Sequence, residues 1–259
     1  MQRYFLKLAY RGTAYHGWQI QKNAHTVQAE MNEKISTLCG EPVNVTGCGR
    51  TDAGVHARNY YLHFDLTKVL NFVLQDFVFK LNRFLPEDIA VLGAWKMPSE
   101  AHARFDAVRR TYRYYISLRK DPFIWKLAMP FTGLLDVHAM RKASRYLMDY
   151  EDFTSFSKLH SQTATNICRI VEAGWEQKDN QLVFTITADR FLRNMVRAIV
   201  GTLLEIGRGK LKPEAMKDII EAKDRGKAGF SAPAQGLFLE EVHYPLEWEK
   251  MFNANSISG

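Results

Sequence analysis

The chain has 259 residues, 46% of them hydrophobic, and a formal net charge of +7. That length fits one large domain or two small ones with a real core, and the basic excess suits a polyanionic partner such as nucleic acid. Three scattered cysteines, Cys39, Cys48 and Cys168, with no CxxC pair, argue against a disulfide framework or a structural zinc site and fit a reducing cytoplasm. The first seven residues hold no apolar stretch of signal-peptide length, and no run approaches the roughly 20 apolar residues of a membrane span.

In chain order, residues 4–10 read as a strand, with Leu6, Leu8 and Tyr10 on one face and Lys7 on the other. Arg11-Gly12-Thr13 turns, and Tyr15-His16-Gly17-Trp18-Gln19 follows as a loop of glycine and aromatics. Thr26 is placed to N-cap a helix striped by Val27, Met31, Ile35 and Leu38, which Gly40 stops. Two strand-like runs, 43–45 and 59–65, flank the stretch 46–57. Residues 76–84 look helical, Leu85-Pro86 breaks them, and 89–97 read as a strand. The order β, α, β, β, α, β predicts a ferredoxin-like split βαβ unit.

Residues 98–102 form a short polar connector, which divides the chain into 1–101 and 102–259. Beyond it, 111–118 read as a strand, and Asp136 can cap a helix carrying Met140, Ala143 and Leu147. Two strands are expected over 167–177 and 182–188, then an amphipathic helix over 191–207. Pro213 opens a further helix at its favoured N1 position, through Glu221, and 237–244 form a last strand. The second part thus repeats an α+β order without any residue-level repeat.

The chemistry concentrates in Thr46-Gly47-Cys48-Gly49-Arg50-Thr51-Asp52-Ala53-Gly54-Val55-His56-Ala57. Glycines let this loop take turns that a Cβ forbids. Its one carboxylate, Asp52, sits two residues after Arg50, and a nearby cation favours the charged, nucleophilic form over a general acid. The run from Gly49 to Ala57 resembles the active-site motif of the TruA family of tRNA pseudouridine synthases.

The same resemblance extends over most of the chain. It includes the loop from Tyr10 to Gln19, the run from His102 to Tyr115, Asp152-Phe153-Thr154-Ser155-Phe156, the run from Asp189 to Gly201, and Gly236-Leu237-Phe238-Leu239. The run from His102 to Tyr115 interleaves cations with aromatics, and arginines hold phosphates while an aromatic face stacks on a base.

The resemblance implies an α+β fold of two ferredoxin-like halves, with mainly antiparallel sheets joined around a central catalytic cleft. It makes Asp52 the catalytic nucleophile, with Arg50 filling the vacated space or holding the flipped nucleotide. Tyr112 falls on the tyrosine that packs against the target base, and Arg197 on an arginine that pairs with the catalytic aspartate. By periodicity alone, Arg197 lies in line with Arg193, Val200 and Leu204 at the edge of the apolar stripe, where a cation needs a partner or snorkels. Thr51, His56, Arg104, Arg110 and Leu237 join Arg50 and Tyr112 as expected substrate contacts.

The family acts on positions 38, 39 and 40 of the anticodon stem-loop, as a homodimer whose subunits share one tRNA. No metal spacing joins the histidines, and no P-loop or dinucleotide motif occurs, so no cofactor is expected. Two other readings share some of these features: a nucleoside or glycoside hydrolase, which usually needs two facing carboxylates, and a silent RNA-binding protein.

Overall fold

The computed structural model describes residues 1–70, 73–158 and 165–254, and the chain is α+β with mostly antiparallel strands. It forms two compact units. One comprises Met1–Val108 with Leu239–Gly259, and the other Arg109–Phe238. Among the described residues, no helix is long and apolar enough to cross a membrane.

The first unit is built on β1 (Gln2–Tyr10), β2 (Thr46–Gly47), β3 (His56–Leu66) and β4 (Ile89–Met97), with α1 (Val27–Cys39) and α2 (Leu74–Phe84) between them. Its sheet runs β4-β1-β3, antiparallel throughout, and β2 adds to β3. Helix α1 has the ends its sequence predicts. The Thr26 hydroxyl accepts the Ala29 N–H at 3.3 Å, and Gly40 leaves the helix at φ 69°.

The expected strand over 43–45 is corrected. The N–H groups of Val43 and Val45 donate to Ser36 Oγ and Asn32 Oδ1, both at 2.8 Å. Side chains of α1 thereby take the bonds a ladder would need, and pairing begins only at Thr46.

Both faces of β1 carry buried side chains. Tyr4 stacks on Phe64 beneath α2, and Phe64 lies against Phe77. On the opposite face, Phe5 meets His63, Tyr244, Trp248 and Phe252. The last two rings come from a helix that periodicity did not reveal, α6 (Leu246–Ala254). Phe252 also packs on Tyr61 and Trp95, so α6 completes the second core layer of this unit.

The second unit has β5 (Arg109–Ser117), β6 (Met129–Pro130), β7 (Ile170–Lys178) and β8 (Gln181–Ala188). The order is β5-β8-β7, antiparallel, with β6 running parallel to β5. Three helices cover it: α3 (Val137–Arg145), α4 (Met195–Gly207) and α5 (Ala215–Ala222). Asp136 caps α3 by accepting the Ala139 N–H at 2.9 Å.

Helix α4 differs from the expected 191–207 in two ways. It starts only at Met195, because Asn194 sits in the left-handed region at φ 67°, which leaves Arg193 outside the helix rather than in line with Arg197. It is also buried nearly all round, Arg197 and Glu205 being its only residues not fully buried. Helix α5 likewise begins at Ala215, with Pro213 and Glu214 in the turn that feeds it. The strand expected from 167 starts at Ile170, since Asp152 and Ile167 form an isolated bridge ahead of it. A final strand, β9 (Leu237–His243), follows a 3-10 turn at Ala234–Gly236, and from Leu239 on it belongs to the first unit, beside β3.

Candidate active site

In the first unit, the Asp52 loop connects β2 to β3 and is braced by the segment that follows β1. The Cys48 N–H donates to the Tyr61 carbonyl at 2.8 Å, and the Tyr60 hydroxyl to the Gly49 carbonyl at 2.5 Å. Thr51 is held at both ends. Its Oγ1 lies 2.9 Å from the Tyr10 hydroxyl, and its carbonyl accepts the Trp18 N–H at 3.2 Å. After Asp52, its carbonyl accepts the Val55 N–H at 3.1 Å, closing a turn, while the Gly54 N–H donates to the Tyr15 carbonyl.

Beneath the loop, Trp18 stacks on Tyr60 with ring centroids 4.1 Å apart. The Trp18 segment can come this close because residue 17 is glycine. It has φ +89°, and a Cβ there would stand 2.4 Å from the Thr51 carbonyl oxygen. The outcome is a rigid loop with Thr51 buried, Asp52 half-buried and Arg50 exposed.

His56, at the start of β3, is 1% exposed and its Nδ1 accepts the Gly12 N–H at 3.0 Å. Its ring fixes the bracing segment against the loop. Arg104 lies elsewhere in this unit, on a turn packed against His63 near the other end of β3.

The second unit carries Arg110, Tyr112, Arg197 and Leu237. Arg110 and Tyr112 are two apart on β5 and so point to one face, opposite Ala188 and Ile186 of β8. Arg110 Nη1 donates to the Asp189 carbonyl at 2.9 Å, and Phe191 meets Tyr112 edge-on with centroids 5.1 Å apart. The connection from β8 to α4 therefore fixes both side chains. Tyr112 remains half-buried, and Leu237, at the start of β9, is buried.

Arg197 is gripped by the segment ahead of β9. Its Nε donates to the Ala232 carbonyl at 2.7 Å, and the Ala232 N–H donates back to the Arg197 carbonyl at 2.9 Å. This pair sets the plane of the guanidinium. The segment is itself tied down, as Ser231 Oγ accepts from Asn194 Nδ2 at 2.7 Å and Arg225 Nη2 at 3.2 Å. Arg197 is also near enough to Tyr114 to oppose the upward push that burial gives that phenol.

Sequence reasoning named the residues of the loop but gave these supports no role. Tyr60, Phe191, Ser231 and Ala232 carry no chemistry of their own, so composition does not single them out. The glycine-and-aromatic loop from Tyr10 to Gln19 was the available signal for the bracing segment. Among the described residues, no cluster of three or more His, Cys, Asp or Glu side chains could hold a metal.

Comparison with known proteins defines the class. Residues 143–245 match the family model described as tRNA pseudouridine synthase. Proteins named tRNA pseudouridine synthase A from Parabacteroides distasonis and Clostridium acetobutylicum are 54% and 42% identical to this chain. The alignments cover 95% of this chain and 98% of the first protein, and 94% and 100% for the second. A protein of the same name from Bacteroides thetaiotaomicron is 54% identical over 95% of this chain and 91% of its own. The chain belongs to the tRNA pseudouridine synthase A family.

Proposed function

We propose that this chain converts uridine to pseudouridine in the anticodon stem-loop of tRNA, at positions 38, 39 and 40, with Asp52 as the nucleophile. The coarser activity, isomerisation of uridine to pseudouridine in tRNA, follows from its family. The observation that best supports the role of Asp52 is the bracing of its loop. Thr51 is bonded through side chain and backbone, and the turn after Asp52 is closed, so the carboxylate sits on a fixed support.

In this reading the target base leaves the stack, at a cost of a few kcal/mol, and stacking on Tyr112 returns about 1–3 kcal/mol. Arg50, exposed on the same loop, takes the vacated space or holds the flipped nucleotide. The Asp52 carboxylate attacks C6 of uracil or C1′ of the ribose, and the bond from N1 to C1′ breaks. The freed base turns, C5 bonds to C1′, and the bond to Asp52 breaks to return the carboxylate; C5 then loses its proton and N1 gains one. Substrate and product are isomers, so the balance needs no oxidant or energy source. Arg197 is the proposed partner of Asp52, as the family resemblance implies. His56 is assigned the positioning of the loop rather than a contact with RNA. Action in the cytoplasm as a homodimer on a shared tRNA is part of the proposal.

One assay separates this reading from its rivals. The full-length protein is incubated with an unmodified tRNA transcript, and pseudouridine and free uracil are both quantified. Pseudouridine at 38–40 supports the proposal, free uracil points to a hydrolase, and neither product to a silent RNA binder.

Tyr112→Phe keeps the ring and loses the hydroxyl, which is placed in this reading to assist proton transfer at C5. Near-normal tRNA affinity with slowed product formation is expected. Tyr112→Ala also loses the stack, worth about 1–3 kcal/mol of binding. Filter binding and single-turnover rates measure both variants. Wild-type behaviour of Tyr112→Ala in both would return Tyr112 to a plain strand residue.

Affinity for tRNA should fall steeply with salt. Arg104, Arg109 and Arg113 are exposed and Arg110 is half-buried. One phosphate held by each gives a slope of log affinity against log salt of about −3 to −4. A flat response in filter binding between low and physiological salt would take these arginines out of the RNA site.

A further inference from the structure

Between β4 and β5 the chain makes a turn at residues 102–106 that is organised around one imidazole. His102 Nδ1 accepts the N–H groups of Arg104 and Phe105 at 3.1 and 3.2 Å. The His102 N–H donates to Asp106 Oδ2 at 2.7 Å, and the Asp106 N–H donates to the His102 carbonyl at 3.1 Å. Two further bonds fix the turn to the first unit. The Ala103 N–H donates to His63 Nδ1 at 3.1 Å, and the Tyr244 hydroxyl to the Ala103 carbonyl at 2.5 Å. Burial pushes the buried His63 imidazole down to about 4 and holds His102 below its ordinary value against the opposing pull of Asp106. Both rings are therefore the neutral acceptors that this bonding requires.

The turn uses the backbone N–H of residue 105 and asks nothing of its side chain. Yet the residue there is Phe105, 74% exposed, its ring lying on His102 at 4.2 Å between centroids with a 30° tilt. The Arg104 guanidinium stands 5.6 Å from the centre of the same ring. A rigid turn thus presents an exposed aromatic ring together with a cation over it, on a chain of net charge +7. That pairing matches a nucleotide, whose base offers a stacking face and whose phosphate offers a negative charge.

We propose that Phe105 is an RNA-stacking residue: an unpaired base of the bound tRNA lies on its outer face while Arg104 holds a neighbouring phosphate. This rests on the tRNA reading above and adds a contact to it. Strand β3 starts at His56, where the Asp52 loop ends, and reaches the turn at His63, roughly 20 Å further along. The base on Phe105 is accordingly not the uridine that reacts, and the contact orients the tRNA instead.

The test replaces Phe105 by Ala, Leu and Trp in the full-length protein. An unmodified tRNA transcript is used for filter binding and for kcat and KM. Phe105→Ala and Phe105→Leu should each raise Kd and KM about 10-fold, with the loss in KM rather than kcat. Phe105→Trp should restore binding, because any aromatic face stacks. Unfolding midpoints should stay at the wild-type value, since the ring is exposed. Wild-type Kd in Phe105→Ala overturns the proposal. So does equal tRNA binding by the Leu and Trp variants, which would mark a plain apolar contact instead of an aromatic stack. If the wild-type protein makes no pseudouridine while the three variants still order tRNA affinity as expected, the enzymatic reading fails and the stacking contact stands.

Discussion

Asp52→Asn is expected to bind tRNA nearly as the wild-type protein does and to form no measurable pseudouridine. Asn has the shape of Asp, and its neighbours make bonds that brace the loop. Thr51 is held by Tyr10 and Trp18, Gly54 by Tyr15, and the Asp52 carbonyl accepts the Val55 N–H. The substitution therefore removes the nucleophile while leaving that bracing intact. An amide is a poor nucleophile, and losing a residue that bonds covalently to substrate costs at least about a thousandfold in turnover. Single-turnover assays with saturating enzyme measure this directly. Product at a tenth of the wild-type rate, only about 1.4 kcal/mol of barrier, would remove Asp52 from the nucleophile's role.

Gly201→Ala should damage stability and turnover together, although residue 201 contacts no substrate in the proposed reading. Helix α4 passes so close to the following segment that a Cβ on Gly201 would stand 1.7 Å from the Phe230 carbonyl oxygen and 2.8 Å from its carbon. Backbone on both sides must then move. Alanine gains about 1 kcal/mol over glycine in a helix interior, but an overpacked backbone contact costs about 1–3 kcal/mol or more. The clash wins, because nothing flexible is there to yield.

The displaced segment is the one that grips Arg197 through Ala232 and Asn194 through Ser231. The unfolding midpoint is expected to drop by roughly 5 °C. In protein still folded at assay temperature, kcat should fall more than tRNA affinity. Wild-type melting for Gly201→Ala would refute the clash, and a lowered midpoint with wild-type turnover would show that the grip on Arg197 does not matter to the reaction.

Much of the fold was legible wherever a segment carries its own start and stop. Helix α1 has Thr26 and Gly40, helix α3 has Asp136, and β4 occupies the expected residues 89–97. Such caps and periodicities act over a few residues, so the sequence suffices to read them. The Asp52 loop was legible for a different reason. Its run of glycines, Arg50, Thr51 and Asp52 carries the chemistry itself, and that run resembles one family.

Tertiary structure decided what depends on partners distant in the chain. Residues 43–45 make no strand because side chains of α1 take their N–H groups, a competition that alternation does not reveal. Helix α4 starts at Met195 because Asn194 turns left-handed and donates to Ser231, 37 residues later. Phe5 is covered on its outer side because residues 239–254 belong to the first unit and bring Trp248 and Phe252 to its face of the sheet. His56 shows the same division within the candidate site. Its place in the motif is plain in the sequence, but that its ring holds Gly12 emerges only when β1 and β3 pair, because pairing brings Tyr10 opposite Ala57 and sets the turn after Tyr10 beside the start of β3.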